Sequence, residues 1–143
     1  MKYYITDADG NRIPAEGGGH IQENEILTAD TTLTVEDSGK TFFLDATGEV
    51  ITLPSTLVAG VNYTFKVIAA VATSDWTIVS ATDVIEGYAV VNYATVAASN
   101  ENTISLVAAA AIVGDEVKVI CDGTSWQASG LGSSAGSITF TAP

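Results

Sequence analysis

From Thr31 onward, apolar and polar residues alternate in short runs cut by turn residues. Along Thr31–Val35, Leu33 and Val35 fall on one side of an extended chain. Along Asn62–Ile68, Tyr63, Phe65 and Val67 share a side, opposite Thr64 and Lys66. Successive side chains of a strand point to opposite faces, so a period of two marks a half-buried strand. The pattern predicts strands at Thr31–Val35, Thr41–Leu44, Val50–Leu53, Asn62–Val71, Trp76–Val79 and Val84–Ile85. It continues with Tyr88–Asn92, Thr103–Val107, Glu116–Cys121, Ser125–Ser129 and Ile138–Thr141. The separators Asp37–Gly39, Ala46–Gly48, Ala59–Gly60 and Asp122–Gly123 are turn formers. Many short strands at this spacing predict an all-β fold, a β-sandwich or a barrel, over residues 31–143. No internal repeat is evident, so the sequence does not predict a solenoid. Ala108–Ala111 has helix propensity, but β-branched neighbours and Gly114 surround it, and no helix is predicted there.

The first 30 residues differ. Two β-prone runs, Tyr3–Thr6 and Arg12–Pro14, flank Asp7–Asn11, and an Asp-Gly turn between such runs predicts a hairpin. Gly17, Gly18 and Gly19 follow, and three consecutive glycines make a flexible hinge. Residues 1–30 therefore read as an arm jointed to the body. Tyr3, Tyr4, Ile5, Arg12 and Ile13 are the side chains with which such an arm could grip a partner.

Charge narrows the partners. The 143 residues carry 17 acidic and 5 basic side chains, a formal charge of −12. Lys2, Arg12, Lys40, Lys66 and Lys118 form no cluster, so neither nucleic acid nor an anionic membrane surface is an expected partner. The first ten residues lack a signal-peptide pattern, and no apolar run reaches 18 residues, so assembly in a cytoplasm is expected. Cys121, the only cysteine, lies in an apolar strand and reads as a small core residue. Trp76 and Trp126 read as core anchors.

Candidate chemistry is sparse. Asp7–Asn11 superficially resembles a calcium loop, but Arg12 and Gly18 stand where that loop needs Gly and Glu. One His and one Cys make no zinc pattern. His20 follows three glycines, a poor place to hold a general base. The Gly/Ser-rich Leu131–Gly136 has no following Lys or helix and reads as a linker. The expectation is a protein that is not an enzyme and has no catalytic residues, cofactor or metal.

The segments Thr31–Gly48, Ile51–Pro54, Trp76–Val79, Gly114–Trp126 and Ser137–Thr141 together resemble head decoration, or cement, proteins of tailed bacteriophages. The resemblance implies an all-β, antiparallel, jelly-roll-like β-sandwich on the capsid exterior of a virion. Such a protein bridges subunits of the major capsid protein, stabilises the icosahedral head, and is assembled in the host cytoplasm. It also implies self-association as a dimer or trimer, with Ala108–Ala111 and Phe140–Pro143 as contact strips or simply core. Similar cassettes occur in tail and fibre proteins. The alternative is therefore a tail-fibre or receptor- or carbohydrate-binding module, with Tyr88 and Tyr93 as stacking platforms.

Overall fold

The computed structural model describes Tyr4–Thr6, Ala8, Arg12–Pro14 and residues 21–142. Among the described residues there are fourteen strands: β1 (Tyr4–Thr6), β2 (Arg12–Pro14), β3 (Asn24–Leu27), β4 (Thr31–Thr32), β5 (Thr41–Leu44), β6 (Val50–Thr52) and β7 (Asn62–Val67). They continue with β8 (Trp76–Val79), β9 (Ile85–Val91), β10 (Ala94–Glu101), β11 (Thr103–Leu106), β12 (Glu116–Cys121), β13 (Trp126–Gly132) and β14 (Ile138–Thr141). The larger sheet has the order β10-β9-β13-β12-β7-β5-β3, and the smaller β14-β11-β8-β6-β4. The two pack face to face as the expected all-β sandwich.

The sheets are mixed rather than purely antiparallel. Pairings β3–β5, β5–β7, β4–β6, β6–β8 and β9–β13 are all parallel. The cause is the path of the chain. From β3 to β8 each strand crosses to the opposite sheet, so β3-β4, β5-β6 and β7-β8 form three stacked coils. This is a short solenoid, contrary to the expectation from the absent repeat. The stacked positions Asn24, Thr41 and Thr64 are unequally spaced along the chain, which leaves no sequence period to detect.

The larger sheet also moves the body's boundary. β3 pairs with β5 in parallel, and the Asp30 carboxylate accepts the Val50 N–H at 2.8 Å. Residues 24–30 thus belong to the sandwich and not to an arm. β1 and β2 pair antiparallel as predicted, with Tyr4 opposite Pro14, Ile5 opposite Ile13 and Thr6 opposite Arg12. They form a two-stranded sheet of their own. Tyr3, Gly17, Gly18, Gly19 and His20 lie outside the described residues.

Several predicted runs change. Val35 leaves the strand: Thr34 caps a 3-10 turn at Val35–Asp37, with Asp37 answering the Thr34 N–H and hydroxyl, and Val35 turns outward. The runs Val84–Ile85 and Tyr88–Asn92 become one strand, β9, from Ile85 to Val91, and β13 takes in Leu131 and Gly132, the first two residues of the supposed linker. β3 and β10 carry Asn, Glu, Ala and Ser, which hide them from a propensity reading.

The core is formed by the inward residues of both sheets. Trp76, Trp126, Tyr63, Phe42 and Phe65 are fully buried, with Leu44, Ile51, Ile78, Ile104 and Leu106 around them. Cys121 is buried as expected. Phe42 stacks on Phe65 at 5.7 Å, and Tyr63 packs on Trp126 at 5.8 Å. The Trp76 indole N–H donates to the Asp45 carbonyl at 2.9 Å, tying the turn of the second coil to the third. Ala111 is core, with Ala108 and Phe140 packed against it, so these parts of the two contact strips are spent within the chain.

The Tyr63 hydroxyl donates to the Thr34 carbonyl at 2.5 Å. Burial, aided by the nearby Asp37 charge, pushes its pKa up to about 12. A raised folded-state pKa gives stability that is whole below the unfolded value near 10 and is lost as pH climbs toward 12. Between pH 10 and 12 the protein is expected to lose up to about 3 kcal/mol through this group. Thermal melts from pH 9 to 12 check it: Tyr63→Phe should show a flatter decline than the native protein.

Candidate functional site: an exposed sheet face and its apolar corner

Alternation sorts the larger sheet into a buried face and an outward one. Across the outward face, Val90, Leu131, Glu116, Lys66, Phe43 and Ile26 lie in one row, strand by strand. The next row holds Tyr88, Ser129, Lys118, Thr64, Thr41 and Asn24. Tyr88, Val90, Ile120, Leu131 and Ile26 are exposed, and Leu131 is 63% accessible. Five large apolar side chains exposed on one face make it a candidate contact surface.

The middle of this face is polar. Glu116 takes both ammonium groups, Lys66 at 3.5 Å and Lys118 at 3.4 Å. Shallow hollows lie on either side. One of about 310 Å³ is lined by Tyr88, Val90, Glu116, Lys118, Ser129, Gly130 and Leu131. Another of about 660 Å³ runs over Thr41, Phe43, Thr64 and Lys66 toward Gln22.

At one end the face turns a corner. The β9–β10 hairpin closes through Asn92 and Tyr93, both at positive φ (49° and 65°), the pattern of a type I′ turn. That turn favours Asn-Gly, because a side chain at positive φ is strained. Here the second position holds Tyr93, and its side chain is completely exposed at 101%. Strain kept at an exposed aromatic points to use of that aromatic.

A polar strut holds the corner. The Asn92 N–H donates to the Gly132 carbonyl at 2.9 Å. Next to it, Asp115 is 3% exposed, and its carboxylate accepts the Ser133 N–H at 2.9 Å and the Ile112 N–H at 3.1 Å. One side chain therefore ties the end of β13 to the loop that displays Ile112 and Val113. With Tyr93 and Leu131, these make four exposed apolar residues at this end of the sandwich.

At the opposite end of the β12–β13 hairpin, Asp122 accepts from the backbone and hydroxyls of Thr124 and Ser125, and from the Gln127 amide. These donors hold its carboxyl well below the usual range. It is a structural turn, charged at any ordinary pH.

Of the residues singled out in the sequence, Tyr88 and Tyr93 are both exposed, on the face and at the corner. Tyr4, Ile5, Arg12 and Ile13 fall in the small β1–β2 sheet. Leu131, Ile112, Val113 and Asp115 were not legible as site residues. Leu131 sat in an apparent linker, Ile112 and Val113 at the end of an Ala-rich apolar run, and Asp115 between Gly114 and Glu116. Among the described residues no group of three His, Cys, Asp or Glu side chains could hold a metal ion. No family model matches the chain, and no curated protein matches it.

Proposed function

We propose that the protein is a structural virion component, a decoration or cement protein. It binds the outside of an icosahedral phage head and bridges its major capsid protein subunits. The observation that carries this reading is the apolar corner. Tyr93, Leu131, Ile112 and Val113 project from one end of a rigid sandwich and are braced by a buried carboxylate. The arrangement suits docking onto a preformed surface: the body loses little freedom on binding, and the exposed aromatic supplies the anchor. The β1–β2 sheet offers a second point of attachment. Many weakly held copies, each with two attachments, would stabilise a lattice through avidity. The charge of −12 suits the outer surface of a head better than the inside, which faces packaged DNA. In this reading the protein carries no catalysis and needs no cofactor.

The test uses Tyr93→Gly. Glycine relieves the strain at φ 65°, so the variant is expected to be more stable than the native protein by about 1 kcal/mol. Its binding to phage heads lacking the protein is expected to fall at least tenfold, read by co-sedimentation. The native protein should bind those heads at a fixed ratio to the capsid protein and raise their heat resistance. Native protein that binds no heads would sink the reading. Adsorption to host cells, lost in Tyr88→Ala and Tyr93→Gly, would establish instead the tail-fibre or receptor-binding module that two exposed tyrosines also suit.

A further inference from the structure

We infer that the free edge of β3 accepts one more strand, an extended basic segment of the major capsid protein. The inference rests on the head-binding reading and names the kind of segment that is gripped.

The two sheets of the sandwich end in four edge strands, and three of these are blunted. β10 is interrupted by a register shift between Ala98 and Glu101, with Asn100 at φ 55°. β14 lies against β10. β4 is only two residues long. β3 is different. It runs in unbroken parallel register with β5 from Asn24 to Leu27, and no described strand lies beyond it. It holds no Lys, Pro or bulge, the devices that guard a sheet edge against pairing.

The backbone of β3 is set for such pairing. The Thr41 N–H donates to the Glu23 carbonyl at 3.0 Å. Alternate residues of a strand turn their backbone groups to opposite sides, so Glu25 and Leu27 also face β5. The N–H and C=O groups of Asn24 and Ile26 point the other way, toward the free edge. These two donors and two acceptors can begin a ladder with an added strand. The Gln22 amide donates to the Gly39 carbonyl and fixes the approach to β3, so the edge loses little freedom on pairing.

Charge selects the occupant. Glu23 and Glu25 lie on one side of the strand, and both are exposed. The three described lysines are paired with Asp37 and Glu116, and neither edge acid has an ion pair among the described residues. Asn24 and Ile26 lie on the other side, where Ile26 is 57% exposed. A strand that matches both sides alternates Lys or Arg with apolar residues. The position also accounts for bridging. β3 and β10 are opposite ends of the larger sheet, about 29 Å apart at about 4.8 Å per strand. One body can therefore dock on one capsid subunit through the corner at Tyr93 and hold a strand of the next subunit at β3.

Amide exchange of residues 22–27 in the full chain, free and bound to phage heads lacking the protein, tests the proposal. Slower exchange at Asn24 and Ile26 is expected on the heads. Two variants accompany it in co-sedimentation. Ile26→Pro removes an N–H that makes no bond to β5, so its melting should match the native protein while head binding falls about tenfold or more. Glu25→Lys should weaken binding about tenfold or more by setting like charge against the basic segment. Asp83→Lys makes the same change of charge at an exposed loop site away from β3 and should bind as the native protein does. Native protein that binds heads with unchanged exchange at 22–27 overturns the inference and leaves head binding through the corner standing. Loss of binding in Ile26→Pro but not in Glu25→Lys overturns the basic character of the segment. Heads that take up no native protein overturn the proposed function, and this inference with it.

Discussion

Gly87→Ala is expected to lower stability by more than about 3 kcal/mol. Gly87 lies in β9 at φ 122°, a conformation that strains any L side chain. It also lies where β9 runs parallel to β13, opposite Ala128. A Cβ there would come within 2.1 Å of the Ala128 carbonyl oxygen. That oxygen is backbone and cannot swing away as a side-chain end could. The strands must separate, and separation removes the β9–β10 hairpin from the sheet and carries Tyr88 and Tyr93 with it. Urea denaturation measures the loss. Gly39→Ala is the control: its φ is 88°, but a Cβ there meets nothing within 4 Å. It should cost only about 1 kcal/mol, the conformational part alone. Equal losses in the two variants would show that the close approach of β9 and β13 is not what constrains Gly87.

Asp115→Ala is expected to cost about 3 kcal/mol and to abolish docking through the corner. Two part-buried N–H groups, those of Ile112 and Ser133, depend on this one carboxylate. Alanine leaves both without a partner. Asp115→Asn keeps an acceptor for one of the two and should fall between. The loop carrying Ile112 and Val113 would then move independently of β13. Amide exchange at Ile112 and Ser133 is the direct measurement, with faster exchange expected there before anywhere in β7 or β12. Unchanged exchange at both amides would show that the strut does not bear on the corner.

Much of the fold was legible in local pattern. The strands Thr41–Leu44, Trp76–Val79, Glu116–Cys121 and Ile138–Thr141 appear within the bounds their alternation set. Tyr63, Phe65 and Val67 share the buried face, as the period of two required. Val35 shows where such reading stops. Its apolar side chain fitted the alternation, but β4 stops at Thr32, and the Thr34–Asp37 capping bonds hold Val35 in a 3-10 turn. β10 shows a second limit. Its Ala- and Ser-rich residues have little strand preference, and they are extended because β9 offers a partner across a turn of Asn and Tyr, without glycine.

The candidate site divides in the same way. Tyr88 and Tyr93 stand out in the sequence as aromatics near turns. Nothing local marks Leu131 as exposed, Asp115 as buried, or Lys66 and Lys118 as neighbours. The lysines are far apart in the chain and share Glu116 only because β7 and β12 are adjacent.

What the sequence by itself determined is the all-β class, the positions of most strands, the inward-facing set of aromatic and branched residues, and the acidic balance. Each of these follows from one residue and its near neighbours, through strand periodicity, turn chemistry or simple counting. Only the tertiary structure decided the three parallel coils, the mixed sheets, the inclusion of residues 24–30 in the body, and the gathering of Tyr88, Val90, Ile120 and Leu131 on one exposed face. Those depend on which strands become neighbours across long stretches of chain. Neighbour choice is settled by burial of the whole core at once, and no short window of sequence contains that information.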